Sequence, residues 1–246
     1  MSAEEFMNRG DEILRRIRAT QLPAIKKAAA LIGDSLADGG ALHYFDSGHC
    51  TGELLTRAGG MFAIHPIRVN MSIEHPLPPG RSAKEELLAG WYRDESVVDF
   101  AVSRCHFQAG DVLLLCSVSG SNPFAVGLAL RAQKRGVKVV AITSPTYSRA
   151  IKSRHSSGKF LYQVADVVID NCGEVGDALL HIPGLDTKAC PSSGLAFVYV
   201  TWSLLAEVLS NLTERGMKPH VYKSVNLPGA REFNEQARAA YERTGI

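Results

Sequence analysis

A chain of 246 residues is long enough to bury a full core, and its 46% apolar and 21% charged composition is that of an ordinary soluble globular domain, not a disordered or fibrous chain. The formal charge is only +2 and Lys and Arg are dispersed, which argues against nucleic acid or an anionic membrane as a partner and leaves a small ligand as the first expectation. Glu4, Glu5, Asp11 and Glu12 without an apolar leader argue against a signal peptide, no apolar run is expected to span a membrane, and five cysteines free of any CxxC pair argue against disulfides and structural zinc, so a cytoplasmic protein is expected.

Residues 1–40 read as two helices. Phe6, Ile13, Leu14 and Ile17 lie near one face of the first, and the second, beginning at Leu22-Pro23, stops at Gly39-Gly40. Short β-rich runs then follow at 41–45, 62–69, 111–116, 138–143 and 166–170. The clearest of these are almost continuously apolar, as strands covered on both faces must be. Helical stretches are predicted over 50–59, 84–104, 123–135, 146–154, 193–213 and 231–243. Alternating strands and helices imply a parallel sheet with right-handed crossovers, hence a three-layer α/β fold. The chain divides as a single domain, 1–246: an N-terminal helical extension (1–40), an α/β core (41–215) and a C-terminal tail and helix (216–246). Loops 46–50, 117–122, 143–148 and 170–177 should meet at the carboxyl ends of the strands, where such sheets bind ligands. The Pro-rich stretch 74–82 is long enough for a lid or a partner contact.

The turn after the third run carries the chemistry. Ser117, Ser119 and Ser121 offer hydroxyl donors to one anion, and Gly120 lets backbone amides approach it. Pro123 suits the first helical position, which makes Asn122 the N-cap and turns the positive end of the helix toward the same anion. No lysine-bearing P-loop and no dinucleotide fingerprint is present, so nucleoside triphosphates and dinucleotides are not expected. An ordinary capped β–α turn remains the alternative.

Residues 113–144, "LLLCSVSGSNPFAVGLALRAQKRGVKVVAITS", resemble the signature of the SIS (sugar isomerase) domain. The blocks "FDSGHC" (45–50), "RAGG" (57–60), "SRHSSGK" (153–159), "ADVVIDNCGEVGDAL" (165–179) and "VNLPG" (225–229) extend the resemblance to a single-domain subfamily without settled activity. That subfamily is related to phosphoheptose isomerases and N-acetylmuramic acid 6-phosphate etherases. The resemblance implies a doubly wound five-stranded parallel sheet of flavodoxin-like order. It also implies a phosphosugar ligand, with Ser117, Ser119 and Asn122 holding the phosphate. The loop after the first strand would close over the sugar, placing Ser47, Gly48, His49 and Cys50 beside it. His49 could donate a hydrogen bond or act as general acid, the alternative being a loop histidine that satisfies nearby backbone.

Sugar isomerisation also needs a base near C1 and C2. In "RDESVVD" (93–99), Glu95 resembles the acid/base position of the etherases, with Asp99 on the same predicted helical face. The alternative is a solvated charged face pairing with Arg93 or Arg104. Glu85 and Glu86 are secondary candidates. His155 is a further catalytic candidate that could reach the sugar or a neighbouring subunit's site, while Ser144 and Asn171 cap two of the mouth loops and are candidate sugar-binding residues. No histidine pair has metal-ligand spacing and no cofactor is expected. The competing functions are an isomerase working through an enediol, a lyase or etherase, and a non-catalytic phosphosugar sensor. Sensors of this family carry a DNA-binding domain ahead of the sugar domain, for which the forty residues before the first strand leave little room. A homodimer or dimer of dimers is expected, since SIS domains commonly pair.

Overall fold

The apolar runs of the middle of the chain line up side by side. The computed structural model describes residues 2–49, 52–73, 75–81 and 90–246, apart from the side chain of Trp91. Among the described residues, β1 (Leu42–Asp46), β2 (Ile64–Pro66), β3 (Val112–Cys116), β4 (Lys138–Thr143) and β5 (Val167–Asp170) form one parallel sheet in the order β2-β1-β3-β4-β5. This is the flavodoxin-like winding, and its strand order reverses between β1 and β3.

Side-chain alternation along the strands divides the core in two. Leu42, Tyr44, Leu114, Val140 and Ile142 face a layer built from α1 (Ser2–Thr20), α2 (Leu22–Ala37) and α7 (Ser193–Glu214). Phe45, Leu113, Leu115, Val139 and Ala141 face α3 (Ser96–Arg104), α4 (Pro123–Gln133) and the short α6 (Leu161–Val164). The two N-terminal helices are therefore a layer of the core itself, with Ile13, Ile17, Ile25 and Ile32 buried in it. By length and composition alone α7 would cross a membrane, contrary to the expectation that no run approaches that length. Its Phe197, Val200, Leu204, Val208 and Leu212 are buried, and its closest packing partner is α2, so its apolarity serves a core helix wedged between helix and sheet.

Other expectations are corrected. Instead of a helix over 50–59, residues 52–59 form turns, because Gly52, Thr56 and Gly59 all take positive φ. The predicted strand 62–69 shrinks to β2. The Phe62 N–H bonds the His220 carbonyl, and Tyr222 N–H that of Gly60, so the C-terminal tail pairs with the chain just ahead of β2. Of the predicted helix 84–104, residues 84–89 lie outside the described residues; Trp91–Arg93 form a single 3₁₀ turn, and α3 begins only at Ser96. The helix expected over 146–154 is the shorter α5 (Pro145–Arg149). A two-stranded hairpin, β6 (Ala178–Leu180) and β7 (Ala189–Pro191), follows the fourth mouth loop, its strands too short to leave a periodic trace in the sequence. The chain closes with α8 (Ala230–Thr244).

Candidate functional site

The carboxyl end of β3 releases the serine-rich loop at the reversal of strand order. Asn122 caps α4 as its sequence position demands: its Oδ1 accepts from the N–H groups of Phe124 (2.9 Å) and Ala125 (3.4 Å). Gly120 takes φ +57°, and a Cβ there would come within 2.8 Å of Thr143 Oγ1, so only glycine fits this bend without displacement.

The loop carbonyls are tied to surrounding elements. Val118 O accepts from Ser144 N (2.8 Å) and Thr143 Oγ1 (3.0 Å), Ser119 O from Ser148 Oγ (2.8 Å), Gly120 O from Leu161 N (2.9 Å) and Ser121 O from Arg154 N (3.3 Å). With the carbonyls engaged outward, the amides of Val118, Ser119, Gly120 and Asn122 have no backbone partner among the described residues. Successive free N–H groups of this kind form an anion-binding nest, here continuous with the N-terminus of α4. The Ser119 and Ser121 hydroxyls lie 3.0 Å apart, while Ser117 is buried with its amide on Ile142 O.

A cavity of about 550 Å³ opens over this mouth, within the range of small-molecule sites. Asn122, Ser47, Asp46 and Phe45 line it on one side, and Arg68, Asn70 and Tyr92 on the other. Arg68 is exposed and supplies the cation that the loop itself lacks. Sequence reading missed these last three residues. The available signal was that Arg68 lies at the carboxyl end of the second run (62–69), which must open at the same mouth as β3.

The β1 loop is held by its own aspartate, whose Oδ1 accepts from Gly48 N and His49 N, both at 3.0 Å. Ser47 N and Oγ both bond Cys116 O at 3.1 Å, stapling this loop to the base of the serine-rich loop. The His49 ring stacks on Phe197 of α7, ring centres 5.4 Å apart. Cys50 lies outside the described residues, as do Glu85 and Glu86.

Glu95 stands at the N-cap of α3 and not inside the helix, and like Asp99 it lies within the field of Arg131. Its Oε1 accepts from Ser156 N (2.5 Å) and its Oε2 from Ser156 Oγ (2.7 Å). Burial pushes its carboxyl up, but the two bonds from Ser156 and the charges of His155 and Arg131 outweigh that and hold it below the usual carboxylate value. Asp99 pairs with Arg131, neither with Arg93 nor with Arg104. His155 is buried; its Nδ1 meets Ser157 Oγ at 2.8 Å, and its Nε2, without a hydrogen bond, faces Glu95 Oε2 at 3.5 Å. Within its own chain it is thus turned toward Glu95. The Arg154–Ser121 bond ties this group to the serine-rich loop from the α3 side of the sheet, whereas His49 lies on the α7 side.

Ser144 and Asn171 brace the third and fourth loops from beneath. Both are fully buried. The Ser144 hydroxyl donates to Gly173 O (2.8 Å) and accepts from Tyr147 N (3.1 Å), and Asn171 Oδ1 accepts from Gly173 N (3.1 Å). Among the described residues, no group of three or more His, Cys, Asp or Glu is arranged to hold a metal ion.

Comparison with known proteins supplies a family. A model described as the SIS domain matches residues 5–144. A UPF0309 protein of Caldanaerobacter subterraneus subsp. tengcongensis is 37% identical over 238 residues, covering 94% of this chain and 93% of its own. Another, of Listeria monocytogenes, is 34% identical over 233 residues, covering 93% and 92%. The fold is similar to that of a phosphoheptose isomerase from Francisella tularensis, with a TM-score of 0.52 at 14% identity, over 84% of this chain and 94% of that one. The phosphoheptose isomerase of Neisseria gonorrhoeae gives a TM-score of 0.55 at 14% identity, over 86% and 97%. At that identity the likeness is one of fold.

Proposed function

The chain belongs to the SIS domain family, and from that premise we propose that it is a cytoplasmic phosphosugar-binding protein that interconverts an aldose and a ketose phosphate by proton transfer. The observation that carries the reading is the nest at 118–122, where free amides, serine hydroxyls and the N-terminus of α4 converge at the reversal of strand order. The phosphate seats there, Arg68 completes its charge balance, and the sugar extends into the cavity beneath Tyr92 and Asn70. Glu95, ionised at neutral pH and paired with His155, takes the proton from the carbon next to the carbonyl, leaving the negative charge on the enediolate oxygen, and then returns the proton to the neighbouring carbon.

A thermal-shift screen of hexose, pentose, heptose and amino-sugar phosphates tests the binding step. A ligand at one hundred times its Kd adds about 2.7 kcal/mol of stability, or on the order of 5–10 °C for a chain of this length. The double variant Ser117→Ala with Ser119→Ala should lose several-fold to roughly a few-hundred-fold in affinity, since each lost hydrogen bond costs on the order of 1 kcal/mol. An undiminished shift in the double variant would remove the loop from the site.

One observation favours a second reading, a sensor that binds without turnover. Both oxygens of Glu95 are already engaged by Ser156, and Glu95 is not among the residues lining the mouth cavity. Solvent-deuterium exchange at the sugar C2 separates the two, and it reports equally on a lyase, which begins with the same proton abstraction. Under the enzymatic reading the wild type exchanges and Glu95→Gln slows exchange by about 10²–10⁴-fold while binding persists. Tight binding with no exchange from any sugar phosphate tested would establish the sensor.

A further inference from the structure

A second cavity, of about 620 Å³, lies against the α3 face of the sheet at its β2 edge. Its position follows from side-chain alternation. Phe45 packs in the α3-side cluster, so His43, two residues earlier on β1, faces the same way, and its parallel register partner on β2 is His65. The last turn of α3 contributes Phe100, Ala101 and Arg104, and the following loop adds His106 and Gln108. None of these residues belongs to the serine-rich loop.

The wall has one sign of charge. Arg68 and Arg104 both line the cavity, and among its described lining residues there is no carboxylate. The nearby Asp111 is spent behind the wall: it accepts from His43 Nε2 at 2.9 Å, Gln108 N at 2.8 Å and Ala41 N at 2.9 Å. Those bonds fix the His43 ring, whose Nδ1 has no hydrogen-bond partner among the described residues. His65 is held by Tyr241, with Nε2 and the phenol oxygen 2.8 Å apart.

Beside these donors the wall is apolar and open to solvent. Phe100 is 59% exposed and Met71 40% exposed, and the half-buried Ile67 and Val69, packed against the α3-side core, line the same cavity. Exposed large apolar side chains gathered around one concavity are the informative kind of exposure. The Arg104 guanidinium lies over the Phe100 ring, 5.5 Å from its centre, so a cationic head stands directly above an apolar plate.

We propose that this cavity is a second small-molecule site, built for an organic carboxylate with an aromatic or aliphatic body. The carboxylate pairs with the Arg104 and Arg68 guanidiniums, for which two parallel N–H donors are a geometric match. The body lies on Phe100, Met71 and Ile67. The site shares Arg68 and Asn70 with the rim of the mouth cavity but uses no residue of the 117–122 loop, so the serine variants separate the two.

The test is calorimetric titration of the full chain with 2-naphthoate, alongside its neutral counterpart 2-naphthalenemethanol. The expected result is saturable one-to-one binding of naphthoate and much weaker binding of the alcohol. Arg104→Gln should weaken naphthoate by about ten-fold or more, the usual worth of a charged hydrogen bond. Phe100→Glu, which removes the plate and adds a repelling charge, should abolish it. Both positions are exposed, so thermal unfolding of the two variants should stay near wild type. The Ser117→Ala, Ser119→Ala double variant should bind naphthoate unchanged. The proposal is overturned by absence of saturation at millimolar naphthoate, by equal binding of the alcohol, by an unaltered affinity in Arg104→Gln, or by loss of binding in the serine double variant, which would put naphthoate at the mouth.

Discussion

Replacing Gly120 by alanine tests whether the serine-rich loop, the proposed phosphate seat, is held in one conformation by its surroundings. At φ +57° an alanine pays about 1–2 kcal/mol for the left-handed backbone. The new Cβ would also lie 2.8 Å from Thr143 Oγ1 and 3.2 Å from Leu161 Cβ. Thr143 is fully buried and its hydroxyl is committed to Val118 O, so moving it away forfeits a bond worth about 1 kcal/mol. Together these predict a loss of about 2–3 kcal/mol, or on the order of 4–12 °C in Tm for a chain of this length. Because the loop must shift to admit the methyl group, the amides of residues 118–122 fall out of alignment, and the stabilisation by inorganic phosphate should shrink with it. Gly216→Ala is the control. That glycine also has positive φ, +77°, but nothing lies within 4 Å of an added Cβ, so it should show the backbone cost alone and keep the full phosphate effect. Thermal unfolding of both variants with and without phosphate is the assay. A Gly120→Ala protein matching Gly216→Ala in Tm, with its phosphate shift intact, would refute the crowding account.

Two further outcomes follow from the structure. Asp111 is buried, and although burial pushes its carboxyl up, hydrogen bonds from His43, Gln108 N and Ala41 N and the His43 charge prevail and hold it below the usual range. A carboxylate lowered by folding contributes stability that is complete above its unfolded value, about 3.9, and is lost as pH falls through the folded one. Asp111→Asn should therefore cost about 2 kcal/mol at neutral pH and flatten the acid limb of the stability curve; equal acid sensitivity in the two proteins would refute the assignment. As to assembly, Leu185, Val175 and Leu195 are exposed apolar side chains at 54%, 49% and 39%, and sedimentation at micromolar concentration should find a homodimer or dimer of dimers; a monomer would refute it.

What was legible in the chain itself is what neighbours a few residues apart decide. Asn122-Pro123 announced both a cap and a helix start, because capping is settled between a side chain and amides two or three residues on. The continuous apolar run of β3 announced a strand covered on both faces, and all five of its residues are buried. The single apolar block after Ser192 announced α7 nearly to its last residue. The family resemblance, carried by the same stretch of strand, loop and helix, pointed to the sheet order as well. Tertiary structure alone decided the rest. Glu95 takes its partner from Ser156, 61 residues away, so no helical spacing could reveal that its carboxylate is held there. Arg68 joined the mouth only when β2 took its place next to β1. His43, His65 and Arg104 became one cavity wall only when parallel register set the two histidines side by side and α3 packed across them. Such meetings depend on strand order and on the entropy of closing long loops, which no window of a few residues contains.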